Sequence, residues 1–359
     1  MSANAPSLRA FGEADGDLAH LDGRNVSFIG YGNQGRAQAL NLRDSLSARG
    51  GDARTGIVIG SLQDDSWRQA EADGFQVCSI AEAARAGNVL LLLVPDEGLP
   101  ETFVSQIAPH LEPNDALVLA SGYNLAFGGI APPPDVDVLL LAPRMIGRQL
   151  RQLYEEGKGF YSYVSVERDA SGRAWDTVLA LAKGIGTLSA SGGGAFELSA
   201  RDEAVLDLYH EQGFGSLIGT TMFLMLEVGL QAGLPPEALA LDFYLSGEAA
   251  QTFQAMADVG FYEQSRLHSL TSQYGGMMRT LGFDREPVRR HLLRIIEEVR
   301  SGAFARQWAA EKEAGYENFD RLRALAREAN PFSPIEALVR AALEKAQGRA
   351  GIDTGGSGT

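Results

Sequence analysis

Cysteine is almost missing from this chain: Cys78 is the only thiol in 359 residues. One cysteine excludes an internal disulfide framework and any Cys-based zinc or iron–sulfur centre. Positive charge is also short, with 31 Lys and Arg against 46 Asp and Glu and a net charge of −15 at neutral pH. An acidic surface repels phosphodiester backbones and anionic lipid, so neither nucleic acid nor a membrane is expected as a partner. No stretch reaches the roughly 18 uninterrupted apolar residues of a membrane span. Met1–Leu8 lacks the basic-then-apolar pattern of a signal peptide. The expectation is a cytoplasmic protein.

Hydrophobic residues make up 45% and charged residues 21% of the chain, an ordinary globular balance. At about 150 residues per domain the length suggests two domains, with a core that needs no staples. Asn25–Gly30, Gly56–Gly60, Val89–Val94, Ala116–Ala120 and Val136–Ala142 read as short buried strands. Helical stretches from about Gln34 to Arg49 and Ser66 to Asp73 separate the first of them. Strand–helix alternation over the first half predicts an α/β domain with a doubly wound, Rossmann-type parallel sheet. After Gly192-Gly193-Gly194 the pattern turns helical. The expected division is 1–195 for dinucleotide binding, 196–347 for an all-helical domain, and 348–359 for a Gly- and Ser-rich disordered tail.

Gly30-Tyr31-Gly32-Asn33-Gln34-Gly35 is a Gly-x-Gly-x-x-Gly placed after a strand and at the start of a helix. The first glycine permits the tight turn, the second lets a pyrophosphate approach the backbone, and the third lets helix pack on strand. Helix N-terminal amides then face the phosphates. After the second strand comes Ser61-Leu62-Gln63-Asp64-Asp65-Ser66. A carboxylate there accepts hydrogen bonds from a free ribose 2′-hydroxyl and repels a 2′-phosphate. NADH is therefore expected over NADPH. Asp64 or Asp65 can instead cap the helix that begins near Ser66, and the two roles are compatible.

Several segments together resemble the ketol-acid reductoisomerase (acetohydroxyacid isomeroreductase) family in its short-chain form. They are Ile29–Gly35 with Ala39–Asp44, Ser66-Trp67 with Ala70–Phe75, Leu93-Val94-Pro95-Asp96-Glu97, Asp207-Leu-Tyr-His-Glu-Gln212 and Ser301–Trp308. The likeness covers about residues 20–325. It implies an alkyl migration within a 2-hydroxy-2-methyl-3-keto acid followed by reduction with NADPH or NADH, the migration resting on two Mg²⁺ ions. It adds Val94, Pro95, Asp96 and Gly122 to the cofactor site. It further implies a knotted helical domain and a homodimer or higher homo-oligomer with shared active sites.

By the same resemblance Asp207 and Glu211 match the first metal-ligand pair. Four residues apart, they share a face of a regular helix. Glu248 matches one member of the second pair, but the other falls on Tyr244, whose neutral phenol is a poor Mg²⁺ ligand. His210 stands where the family has glycine, and Ser269 matches a substrate-binding serine. Ser121 replaces the family histidine, and Arg144 replaces a lysine near the reacting centre. Arginine stays protonated, and its planar fork can clamp a substrate carboxylate. Met145 and Ile146 make the same wall more apolar. The departures gather on the chemistry and spare the glycine loop.

The expected function is an NAD(P)H-dependent reductase of a small keto acid or imine, with alkyl migration lost or altered. Arg144 would bind the acid, and Tyr244, His210 or Ser121 would donate the proton. Asp207, Glu211 and Glu248 would hold one Mg²⁺ or polar substrate groups. The alternatives are a genuine ketol-acid reductoisomerase acting on 2-acetolactate, and a non-redox nucleotide-binding protein.

Overall fold

The computed structural model describes residues 8–50 and 55–347, so the expected tail at 348–359 lies outside the described residues. The chain divides into two compact units, Met1–Asp207 and Leu208–Thr359.

The first unit is built on a nine-stranded sheet. Its strands are β1 (Ala10–Phe11), β2 (Asn25–Ile29), β3 (Gly56–Gly60), β4 (Gln76–Cys78), β5 (Val89–Leu92), β6 (Ala116–Leu119), β7 (Asp137–Pro143), β8 (Tyr161–Arg168) and β9 (Gly194–Glu197). Their order across the sheet is β1-β9-β8-β7-β6-β5-β2-β3-β4. The strands from β4 through to β7 are parallel. Every residue of β5 and β6 is buried, as a continuous apolar run covered on both faces requires.

The expected doubly wound sheet is present, but it is mixed at one side. β8 runs antiparallel to β7, and β1 antiparallel to β9. The sequence reading left β1, β4, β8 and β9 unmarked. β1, β4 and β9 have two, three and four residues, and β8 mixes tyrosine, serine and charge. Phe196 and Glu197, read as the start of the helical half, belong to β9.

The site follows from the topology. The chain leaves β2 to form β3 on one side and returns to form β5 on the other. At that reversal the carboxyl ends of β2 and β5 diverge and leave a crevice. Gly30 follows β2, and Leu93–Asp96 follow β5. Helix α1 (Asn33–Arg49) rises from the crevice and buries Ala37, Ala39, Leu42 and Leu46. Helix α2 (Asp65–Ala72) follows β3.

Among its described residues the regular elements of the second unit are all helical. A small core gathers Leu226, Leu239, Ala240, Phe332 and Ile335. The helices Glu248–Val259 and Leu270–Leu281 bury no residue. Two widened π-helical turns, His210–Phe214 and Leu241–Leu245, interrupt the regular pattern. Helical residues from Ala200 to Gln231 are long and apolar enough to cross a membrane by length and composition alone.

Candidate functional site

The crevice at the strand reversal is a cleft of about 650 Å³. Gly30 turns at φ +101°, and a Cβ there would stand 2.7 Å from the Leu93 carbonyl oxygen. A Cβ on Gly35 would collide with the Gly30 carbonyl, which is why α1 can start this close to β2. A Cβ on Gly32 would meet no protein atom, although Gly32 lines the cleft. The space beside that backbone therefore suits a ligand, and the cradle fits a dinucleotide pyrophosphate. Gly35→Ala is expected to weaken NADH binding at least about tenfold and to lower Tm, read by fluorescence titration and thermal denaturation, because the clash is with backbone and cannot be relieved by a rotamer.

Of the sequence-chosen cofactor residues, Gly30, Tyr31, Gly32, Asn33, Gln34, Asp64, Ser66, Val94, Pro95 and Asp96 line this one cleft, together with Ser121. Asp64 combines two roles: it lines the cleft, and its Oδ1 accepts from the Ser66 and Trp67 amides as the cap of α2. Asp65 is elsewhere, exposed and paired with Arg68. Gly35 and Gly122 act by allowing close approach, Gly122 against the Ala200 backbone.

Beyond Ser121 lies a polar cluster within the same unit. Arg144 Nη2 donates to Asp207 Oδ1 at 2.6 Å, and Nη1 donates to Glu203 Oε1 at 3.2 Å. The Tyr163 ring lies 5.4 Å from the guanidinium carbon. Glu203 is 2% exposed, and its other oxygen accepts the Gly122 amide at 2.8 Å. Burial, followed by the nearness of Asp207, pushes the Glu203 carboxyl up to about 7. Asp96 accepts from Asn124 Nδ2 at 2.9 Å and from Ser121 Oγ at 3.5 Å. Burial raises its carboxyl to about 6. Glu203, about half protonated at neutral pH, thus lies against one fixed cation, with the less strongly raised Asp96 at the edge of the cleft, an arrangement suited to binding an acid and passing it a proton.

Sequence reasoning missed Glu203. Its spacing of four from Asp207 was the available signal. In the second unit the Tyr244 hydroxyl donates to Glu336, a partner 92 positions away that no motif announces. Tyr244 lies in one π turn, and His210 and Glu211 in the other, with the His210 ring stacked on Phe214. Such turns are common at functional positions, and their i→i+5 bonding departs from the regular spacing assumed for Asp207 and Glu211. Glu248 begins the helix Glu248–Val259 and is exposed. Ser269 caps the helix Leu270–Leu281 by accepting the Ser272 amide.

The magnesium implied by resemblance finds a poorer fit. Among the described residues no group of three His, Cys, Asp or Glu side chains is placed to hold a metal. Asp207, one of the expected ligands, is held by Arg144.

Comparison with known proteins agrees with the cleft. Residues 20–191 match the model of the acetohydroxy acid isomeroreductase NADPH-binding domain, and residues 201–345 match the ketol-acid reductoisomerase C-terminal domain. A relative from Saccharolobus solfataricus whose name assigns it to the ketol-acid reductoisomerases is 38% identical over 315 residues, covering 87% of this chain and 92% of its own. A ketol-acid reductoisomerase (NADP(+)) of Methanopyrus kandleri is 37% identical over 324 residues, covering 88% of this chain and 92% of its own. The solved structure of an NADH-preferring ketol-acid reductoisomerase from an uncultured archean superposes with a TM-score of 0.83 at 29% identity, covering 93% of this chain and 99% of that one. Both domains being matched across nearly the whole length, the chain belongs to the ketol-acid reductoisomerase family of NAD(P)H-dependent oxidoreductases, which act on small-molecule substrates.

Proposed function

We propose that this member reduces a small 2-keto acid or imine with NADH, and that its alkyl-migration step is lost or altered. The observation that carries this reading is Arg144, whose guanidinium engages both Glu203 and Asp207. A fixed monocation there opposes the approach of a dication to Asp207. Reduction asks for less: a positioned carbonyl or imine, a nicotinamide and a proton.

A bound nicotinamide supplies the hydride. The chain's residues orient the acceptor and manage charge. Arg144 uses only two of its five N–H donors on the two carboxylates, and its side chain is 30% exposed. The other donors suit a substrate carboxylate, with Asp207 as the more solvent-accessible and more readily exchanged partner. Glu203, about half protonated at neutral pH, would offer its proton to the oxygen or nitrogen that gains charge on hydride addition. Ser121 steadies Asp96 at the edge of the cleft. Tyr244 is a poorer donor than first expected, since its hydroxyl is directed to Glu336 and burial with that neighbour pushes it up to about 12. Asp64 selects NADH by repelling a 2′-phosphate.

A second reading is a genuine ketol-acid reductoisomerase converting 2-acetolactate to 2,3-dihydroxyisovalerate. Near-full-length identity with proteins of that name supports it. That reading predicts turnover that depends on Mg²⁺, an ion that takes oxygen ligands and keeps several waters of its own. Family membership leaves no support for a non-redox nucleotide binder. The deciding experiment follows NADH oxidation at 340 nm. Oxidation with 2-keto acids or cyclic imines in excess EDTA, and none with 2-acetolactate, is expected. Mg²⁺-dependent NADH consumption with 2-acetolactate, yielding the dihydroxy acid, would sink the reductase-only reading.

We also propose that a second copy of the chain covers the apolar faces of the helical unit, in the knotted and intertwined manner the resemblance implies. Phe261, Leu270 and Leu281 are about 80% exposed in the single chain, more apolar surface than a monomer usually leaves in water. A cytoplasmic homodimer or larger homo-oligomer is expected. A monomer mass by light scattering at micromolar concentration would contradict it.

A further inference from the structure

The loop Gly30–Gly35 is a partition. Tyr31, Gly32 and Asn33 line the dinucleotide cleft, and the same three residues line a second cleft of about 720 Å³ on their other side. A phosphate-binding loop with open space on both sides needs an anchor of its own. The anchor is Asp73, the residue that ends α2. Its Oδ2 accepts the Tyr31 hydroxyl at 2.9 Å and Arg36 Nε at 2.6 Å. Its Oδ1 accepts Arg36 Nη2 at 3.0 Å and Gln69 Nε2 at 3.2 Å. Its carbonyl accepts Arg43 Nη1 at 2.6 Å. The Tyr31 ring is 3% exposed and meets Phe75 edge-on at 5.8 Å.

One carboxylate therefore joins the loop, through Tyr31, to both α1 and α2. Helix α2 is eight residues long, about 12 Å at 1.5 Å per residue. Asp64, at its opposite end, faces the cleft and is itself locked as the cap. The helix is a short strut with its two ends at the two places a dinucleotide is gripped.

We propose that Asp73 is a positioning residue for the dinucleotide: it fixes the glycine loop and the Asp64 end of α2 in one register, and so sets both NADH affinity and the preference for NADH over NADPH. The part about preference rests on the reading of Asp64 given above. The Arg36 hydrogen bonds hold the Asp73 carboxyl below the usual range, so the clasp is charged throughout the working pH range.

The experiment uses the full-length protein with Tyr31→Phe, Asp73→Asn and the double variant. Asp22→Asn serves as the control for a merely structural loss, because Asp22 receives an equally close two-point arginine contact from Arg49 at the far end of α1, at 2.6 and 2.7 Å. Expected for Tyr31→Phe and Asp73→Asn is an NADH KM raised about tenfold with a smaller effect on kcat, and an NADH/NADPH ratio of kcat/KM reduced about fivefold. The double variant should be no worse than the poorer single one, as two ends of one contact require. Asp22→Asn should lower Tm without moving the ratio. Should Asp73→Asn fail to fold, Tyr31→Phe decides alone, since it removes a single oxygen. Unchanged KM in Tyr31→Phe, or additive losses in the double variant, overturns the clasp. A wild-type enzyme that prefers NADPH removes the Asp64 reading instead, and the clasp is then judged on KM and additivity.

Discussion

Arg144→Ala is expected to lower kcat/KM for reduction of an acidic substrate by about a thousandfold, with the Kd for NADH changed less than about threefold. The size follows from the contacts. A charge held against two carboxylates, one of them 2% exposed, is desolvated enough for an ion pair to count. Truncating one partner of such a pair typically costs about 2–5 kcal/mol, partly through the charges left behind. Here those charges are Glu203 and Asp207, which would face each other without their shared cation. Glu203 would then stay protonated to higher pH, since the arginine opposes its rise in the wild type. NADH binding is insulated because Arg144 does not line the dinucleotide cleft. Arg144→Lys is the more telling variant. An ammonium keeps the charge but lacks the planar fork that spans Asp207 and Glu203 together, so an intermediate loss of about thirtyfold is expected. Steady-state kinetics with a 2-keto acid, beside fluorescence titration of NADH, separate the two effects. Arg144→Ala within about threefold of wild type would mean that the cluster does not bind the acid.

What the sequence made legible was local. The glycine loop and the strands on either side of it are contiguous, and their demands are steric, so Gly30, Gly32 and Gly35 could be placed without coordinates. The cap and cleft residue after β3 was legible only as Asp64 or Asp65, and the coordinates select Asp64. The antiparallel return of β8 was not, because its direction is fixed by a partner strand rather than by its own residues. Glu203 and Asp73 were missed for a related reason. Each is one more acidic residue in an acidic chain until tertiary contacts bring Gly122 and Arg144 to the first, and Tyr31 and Arg36 to the second. Tyr244 was singled out from the resemblance alone, and its bond to Glu336 depends on the packing of Phe332–Ala346. Ser121 and Arg144 were singled out from motif positions. What they do together depends on the polar cluster, which has no motif.

Glu203→Gln is expected to remove a pH limb from both activity and stability. In the wild type the carboxyl is raised from 4.5 to about 7, first by burial and then by Asp207, against the opposing Gly122 amide and Arg144. A carboxyl whose folded value lies above its unfolded value is bound more tightly to its proton in the folded state. Its contribution is therefore complete below about pH 4.5 and is lost as pH rises through about 7. The loss is on the order of 3 kcal/mol at about 1.4 kcal/mol per unit. Asp96, raised to about 6, titrates in the same direction and remains in the variant as a smaller slope at lower pH. Thermal denaturation between pH 5 and pH 8 should show the wild type losing stability across that interval and Glu203→Gln losing much less. The same proton serves the reaction. The wild-type kcat should fall with unit slope above about 7 as Glu203 gives it up, while Glu203→Gln should be slower by about a hundredfold and flat there, the usual scale for a displaced general acid. Glutamine keeps an oxygen for the Gly122 amide but sets its NH2 against the Arg144 Nη1 donor, so the disappearance of the pH limb, rather than the loss of rate alone, is the reading that reports on the proton. A variant that retained the wild-type limb near pH 7 would assign it to another group, and Asp96→Asn would then be the residue to test, since its carboxyl shares the cleft with the dinucleotide.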